Sequence, residues 1–429
     1  MQRPLVLLTM TLLVLGTRTA AAGEEEDLQA EAADLRRRAE TLEAQQARLL
    51  RKDVARYLDD VPPSVEAQGG SGLKGLTLHA GITGVLLATV GSDPSDTHAL
   101  HGMAELGFNF EVNENLSLFL DLTANSNAAA FPTQFGPIAG TAGATLSGLV
   151  DGIGVDGTVS TAPGDIAAQE WGFLWTVFIE DQPVEIMAGQ LDPREYYATN
   201  AFAADPRTQF LNNLFDDPPA LDWPTNATGT AIYGLRLYSQ FGKKKEYSFD
   251  IGWYNTPGRW FDNGILLMEF VWEGQLKGRE FHLRAYGQVN SAPDTIAGGF
   301  GLSFDWYATE KIGLFARATV KDNKPISQNH PNQIESDWQV GAVFFGPIKS
   351  RPDDQLGVAW GLIKGPIDAL IPGAPDNHEQ VIEVYYNIML EGGKLQIIPE
   401  AQYVIDPGGG TFANGDNLFL LGFRLYVPF

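Results

Sequence analysis

From Leu73 onward, apolar and polar residues alternate along this chain, and Gly, Asn, Asp and Pro interrupt the alternation about every ten to fifteen residues. Successive side chains of a strand point to opposite faces, so each alternating run has one apolar and one polar face. Phe281, Leu283, Ala285, Gly287 and Val289 share one face, and His282, Arg284, Tyr286, Gln288 and Asn290 share the other. Leu356, Val358, Trp360 and Leu362 repeat the pattern, as do Phe419, Leu421, Phe423, Leu425, Val427 and Phe429 opposite Arg424 and Tyr426. A soluble sandwich turns such apolar faces inward, whereas a membrane barrel turns them outward to lipid and lines its lumen with the polar faces. Alternation alone does not separate the two.

Three features favour the barrel. The chain ends on a strand whose last residue is the aromatic Phe429. Aromatics gather near strand ends, at Trp171, Trp175, Trp253, Trp272, Trp306, Trp338 and Tyr403, as in the girdles found at bilayer interfaces. The connections also alternate in length. Sixteen strands are expected near residues 74–88, 99–112, 116–125, 168–181, 183–192, 228–241, 245–256, 263–274, 279–290, 297–308, 311–322, 334–346, 354–363, 378–391, 394–405 and 416–429. Residues 126–167, 193–227, 364–377 and 406–415 form long connections, while 113–115, 181–183, 242–245 and 391–393 form short turns, with 346–354 a longer exception. Short turns on one side and long loops on the other are the transmembrane-barrel pattern, and an even strand count leaves both ends in the periplasm. The fold class is therefore all-β, a transmembrane antiparallel barrel of about 16 strands over residues 73–429.

The preceding chain is different. Residues 1–22 read as a signal peptide, with Arg3 in the basic region, LVLLTMTLLVLG as the apolar core and Ala20-Ala21-Ala22 at the cleavage site. Over residues 23–60, Leu28, Leu35, Leu42 and Leu49 recur every seven residues. This pattern predicts a periplasmic helix, either a short coiled coil that would assemble a homotrimer or a single amphipathic helix lying on the barrel. The Pro/Gly/Ser-rich segment 61–72 is a linker.

Composition excludes several functions. There is no cysteine, so thiol catalysis, disulfides and Cys-based zinc sites are absent. With 29 basic against 53 acidic residues, the chain lacks the cationic excess that nucleic-acid binding requires. The six histidines are scattered and suggest no metal site. Neither Gly-x-Ser-x-Gly nor His-Glu-x-x-His occurs, so no enzymatic activity and no cofactor are expected.

The segment 185–224, EIMAGQLDPREYYATNAFAADPRTQFLNNLFDDPPALDWP, resembles the carbohydrate-selective porin (OprB) family at the strand leading into its constriction loop. Segments 351–361 and 383–410 are similar to that family's last strands, with Pro399, Gln402, Tyr403, Asp406 and Pro407 at matching spacing. The resemblance implies a sixteen-stranded outer-membrane barrel passing glucose-like sugars, with outer-membrane lipid around it. The long acidic loops and the N-terminal helix depart from that pattern.

Read from the residues, selectivity in so wide a barrel depends on whatever narrows it. The loop after the fifth strand, 193–227, offers aromatic surface for sugar C–H faces and polar groups for hydroxyls. Its candidate contacts are Arg194, Glu195, Tyr196, Tyr197, Asn200, Asp205, Arg207, Gln209, Asn212 and Trp223. A plain external loop with an acidic hydrogen-bond network is the alternative. On the strands, alternation turns Arg236, Arg284 and Arg424 inward, with Arg317 less clearly so. The same rule turns Asp121, Asp250, Glu269, Asp305, Glu383 and Glu400 inward, where arginines facing acids would set a transverse field or, alternatively, simply balance charge across a filled lumen. Tyr286 and Tyr426 flank two of these arginines and could stack on a passing ring. The functions open at this point are a sugar porin, a general or ion-selective porin, and a structural barrel tied to the cell wall through its N-terminal helix.

Overall fold

In a computed structural model, the described residues are 75–89, 98–125, 166–180, 182–221, 223, 232–255, 264–292, 295–322, 334–365, 378–407 and 417–429. The expected signal peptide, heptad helix and linker, and nearly all of the 126–167 loop, lie outside them.

Sixteen strands close into one antiparallel barrel. They are β1 (Leu76–Thr89), β2 (His98–Asn113), β3 (Leu116–Asn125), β4 (Ile166–Ile179), β5 (Gln182–Leu191), β6 (Ile232–Phe241), β7 (Tyr247–Asn255) and β8 (Ile265–Leu276). Then follow β9 (Arg279–Ala292), β10 (Thr295–Thr309), β11 (Ile312–Lys321), β12 (Ser336–Phe345), β13 (Gln355–Lys364), β14 (His378–Leu390), β15 (Leu395–Ile405) and β16 (Leu418–Pro428). Each strand pairs with its sequence neighbour, and β1 pairs β16 with Gly81 opposite Pro428, which removes every edge. A closed barrel pairs each strand's backbone groups internally, as a spanning segment in hydrocarbon must.

The turns are built as their sequences require. Between β8 and β9, Lys277 and Gly278 both have positive φ, at 55° and 74°. That is the geometry of a two-residue hairpin turn matching the twist of its strands. The longer turn at 346–354 is also ordered: Asp354 accepts from the Arg351 Nη2 at 3.0 Å, the Tyr386 hydroxyl at 2.7 Å and the Met389 N–H at 3.1 Å.

The outer face is apolar. Leu421, Phe423 and Leu425 of β16 are exposed, as are Leu283 and Val289 of β9, with Trp171, Trp175, Trp272, Trp338 and Trp360 around the barrel. Their neighbours His282, Arg284, Gln288 and Arg424 point the other way and are buried. An aqueous surface this apolar would aggregate, and a lipid-facing one is what an outer-membrane barrel needs.

One expectation fails on the inner face. Alternation assigned it polar groups, yet Phe315, Val343, Ala359, Val381, Tyr385, Val404 and Leu420 on β11 to β16 point inward and are buried. The reason is a second body of chain inside the lumen.

Candidate pore constriction

After β5 ends at Leu191, residues 192–221 turn into the barrel, and most are buried. Asp192 caps a 3-10 turn, Pro193–Glu195, by accepting from the Arg194 N–H at 3.1 Å. Asn212 caps a single helical turn, α1 (Asn213–Asp216), by accepting from the Leu214 N–H at 3.0 Å. Such Asx caps satisfy local donors and keep a loop compact without a sheet or long helix.

The loop contacts β2, β4, β7, β8, β10, β11, β12, β14, β15 and β16, which a single segment can do only from within a closed barrel. Most of these contacts hold its backbone. Ala198 N–H donates to Glu269 Oε2 at 2.6 Å, Ala201 N–H to Asp305 Oδ2 at 3.3 Å, and Ala220 N–H to Asp337 Oδ2 at 3.0 Å. Leu211 and Asn212 N–H groups donate to the two oxygens of Glu383 at 2.6 and 2.9 Å, and Asp192 N–H donates to Glu170. In the other direction, Arg317 donates to the Ala203 and Asp216 carbonyls, both at 2.9 Å, and Arg424 to the Pro206 and Gln209 carbonyls. Buried backbone groups must be paired, and charge-assisted bonds are the strong way to pair them. Wall carboxylates thus take loop N–H groups, and wall arginines take loop carbonyls.

Apolar packing completes the dock. Phe210 lies 4.9 Å from the Tyr385 ring centroid and 5.6 Å from that of Phe315, and Phe202 lies 4.9 Å from Tyr307. Glycines on the wall make the hollows. A Cβ on Gly313 would meet the Phe202 ring at 2.4 Å, and one on Gly361 would meet the Leu214 side chain at 2.4 Å.

This packing changes the role of many residues picked from sequence. Tyr196, Tyr197, Asn200, Asp205 and Asn212 are buried and hold the loop instead of facing the solution. Tyr196 stacks on the Arg236 guanidinium at 4.3 Å, Tyr197 donates to Asp250 at 2.9 Å, and the Asn212 amide donates to Gln402 at 3.1 Å. Tyr286 donates to or accepts from Thr319 at 2.9 Å beneath Ala198 and Leu221, and Tyr426 is buried too, so neither ring is open to a solute. Arg236, Arg284, Glu383, Glu400 and Arg424 do face inward, but all are buried. Their pairing also differs from a row facing acids across the lumen. Arg236 bonds Asp250 at 2.7 Å, Arg424 lies 2.7 Å from Glu400, and Arg284 bonds Asp305, each on the adjacent strand. Adjacent opposite charges cancel locally, and of the three arginines Arg424 holds loop carbonyls, Arg236 stacks on Tyr196, and Arg284 pairs with Asp305 on the wall.

Water reaches a smaller set. Glu195 is exposed, and Arg194, Arg207, Gln209 and Trp223 are partly so. Arg207 reaches across to β2, donating from Nε to Glu105 Oε2 at 2.8 Å in a two-pronged pair. Further along that wall, His79 Nε2 lies 3.2 Å from Asp121 Oδ1, both partly exposed. Glu105 and His79 were not picked from sequence, although Met103, Glu105, Gly107 and Asn109 alternate with Ala104, Leu106, Phe108 and Phe110. Protein surrounds Glu195 while water reaches it. Burial raises its carboxyl pKa to about 7, with Arg207 pulling the other way. Among the described residues, no three His, Asp or Glu side chains gather as a metal site.

A closed sixteen-stranded barrel, apolar outside and narrowed by a loop bound within, defines the porin class of outer-membrane barrel. Within that class, residues 277–429 match the family model of the carbohydrate-selective porin, OprB family. Porin B of Pseudomonas aeruginosa is 22% identical in sequence over 58% of this chain and 65% of its own length, so just under two thirds of that relative is spanned. The high-pH structure of Pseudomonas putida OprB superposes with a TM-score of 0.64, at 17% identity, over 83% of this chain and 94% of that one. Its low-pH structure gives 0.52 at 15% identity, over 83% and 93%. At these identities the likeness to the solved structures is one of fold.

Proposed function

We propose that this protein is an outer-membrane porin through which glucose-like sugars and other small polar solutes diffuse passively. The observation that carries the reading is the loop of residues 192–221, fastened through its backbone to the inner wall, with Glu195 exposed and Arg194 and Arg207 partly reached by water. Carboxylates there accept from solute hydroxyls and guanidinium groups donate to them. Weak contacts at several points along a constriction favour transit over retention. Solute moves down its gradient, so the reading assigns no reaction and needs no cofactor. The aromatic platforms expected for sugar C–H faces are mostly buried, which shifts recognition toward hydroxyl hydrogen bonding, with the partly exposed Trp223 the remaining loop ring.

From sequence alone, we also place the heptad segment 23–60 in the periplasm, where it would gather copies of the chain; cross-linking of intact cells tests this, and a purely monomeric pattern would reject it. The channel reading is tested by conductance in planar bilayers with sugars titrated in. A current that glucose reduces saturably supports a sugar-selective pore. A current that no sugar alters leaves a general or ion-selective pore, and folded protein without current rejects the channel.

A further inference from the structure

The water-reached charges of the loop are not equally engaged. Arg194 bonds Asp192 from Nε at 3.0 Å and has Asp217 at 3.8 Å. Arg207 bonds Glu105 at 2.8 Å and has Asp205 at 3.7 Å. Each guanidinium therefore faces two carboxylates. Among the described residues, Glu195 forms no side-chain hydrogen bond or ion pair to match them, and it is the exposed member of the group. We infer that Glu195 is a specificity-determining residue that makes the passage prefer cations to anions. The inference rests on the porin reading above.

The charge count supports it. Asp192, Asp205, Asp217, Glu105 and Glu195 supply five carboxylates against the guanidinium groups of Arg194 and Arg207, so the constriction is net negative by three when all are ionised. The wall beyond adds the His79–Asp121 pair, which contributes no net positive charge. A narrow passage with an excess of one sign of charge and walled by protein focuses that field on a passing ion. Directly bonded pairs contribute little to it, because their fields cancel at short range, whereas a carboxylate with no bonded cation is offset only in part by Arg207 and Arg194. The groups facing Glu195 are Asp192, Arg194 and Arg207 from the loop and Glu105 from β2. With a carboxyl pKa near 7, its charge is present in alkaline solution and lost in mildly acidic solution.

The test is the reversal potential of the full-length protein in a planar bilayer under a KCl gradient, at about pH 8 and about pH 6, either side of the pKa of about 7. The wild type is expected to prefer K⁺ at the higher pH. Glu195→Gln is expected to lower the K⁺/Cl⁻ permeability ratio roughly threefold or more, as removing one unit charge in a narrow passage should. Acidifying the wild type should move it toward the variant, and the variant should respond little. Glu114→Gln, in the exposed β2–β3 turn, should leave the ratio unchanged. A conducting wild type with no preference, a preference for Cl⁻, or an unaltered ratio in Glu195→Gln would each overturn the inference while leaving the porin reading intact. Absence of current from folded protein would instead remove the porin reading, and the inference with it.

Discussion

The inward side chains of β14 to β16 and those of β2 to β3 come from the same alternating pattern but serve different ends. On β14 to β16, Glu383, Tyr385, Glu400, Gln402 and Arg424 are all buried, because the loop lies over them. On β2 and β3, Glu105, Asn109 and Asp121 remain partly open to water. On the covered side, an inward charge is a fastening for backbone; on the open side, it meets whatever passes. The lesson is that sidedness and accessibility are separate properties. Alternation sets the first, and the loop sets the second.

The comparison is broken most severely by releasing the apolar dock. Phe215→Ala removes a fully buried ring packed 5.3 Å from Phe210, and should cost about 3–5 kcal/mol of stability. As the loop loosens, single-channel conductance should rise; unchanged conductance would mean that the passage is set elsewhere. Next in size is a change on the outer face. Phe423→Arg places a charge on the lipid side of β16 and should cost about 2–4 kcal/mol if that position lies near mid-bilayer. Folding into lipid vesicles, followed by denaturant titration, measures it. A cost near zero would place Phe423 at an interface.

Glu383→Ala sharpens the covered side. It leaves the Leu211 and Asn212 N–H groups without an acceptor, at about 2 kcal/mol or more, and should raise hydrogen exchange at those two amides. Protection unchanged at both amides would show that the carboxylate does not hold the loop. The smallest effect on stability is expected on the open side. Arg207→Ala cuts a partly exposed pair with Glu105, worth less than about 1 kcal/mol, yet it clears the passage between loop and β2. Conductance should therefore change far more than the unfolding midpoint. The reverse ranking would move Arg207 into the covered class.

Much of the fold was legible. All sixteen strands were expected, β3 to the residue, because period two is a local property that each segment carries by itself. The inward orientation of Arg236, Arg284, Glu383 and Arg424 was legible for the same reason. What Val381 does inside the barrel was not. Alternation from Glu383 places Val381 inward and Ile382 outward, but only the structure shows why an apolar side chain belongs inside: Val381 is buried in the cluster formed with the docked loop. The candidate site was legible as a segment but not residue by residue. Tyr196, Tyr197, Asn200, Asp205 and Asn212 look like solute contacts in a string of letters, and it is their burial that makes them structural. Glu105 was available to the alternation rule, lying between the apolar Ala104 and Leu106, but nothing local marks it as the partner of Arg207.

The sequence by itself determined a closed, lipid-facing barrel and the face each strand residue occupies, since alternation and turn chemistry act over a few residues. Tertiary structure decided which inward charges lie buried under the loop and which stay open to water. Those pairings join Gln209 to Arg424, 215 residues away, and Leu211 to Glu383, 172 residues away. No periodicity spans such distances. They exist because a barrel has one interior, and a loop that enters it must satisfy its backbone on whatever wall it meets.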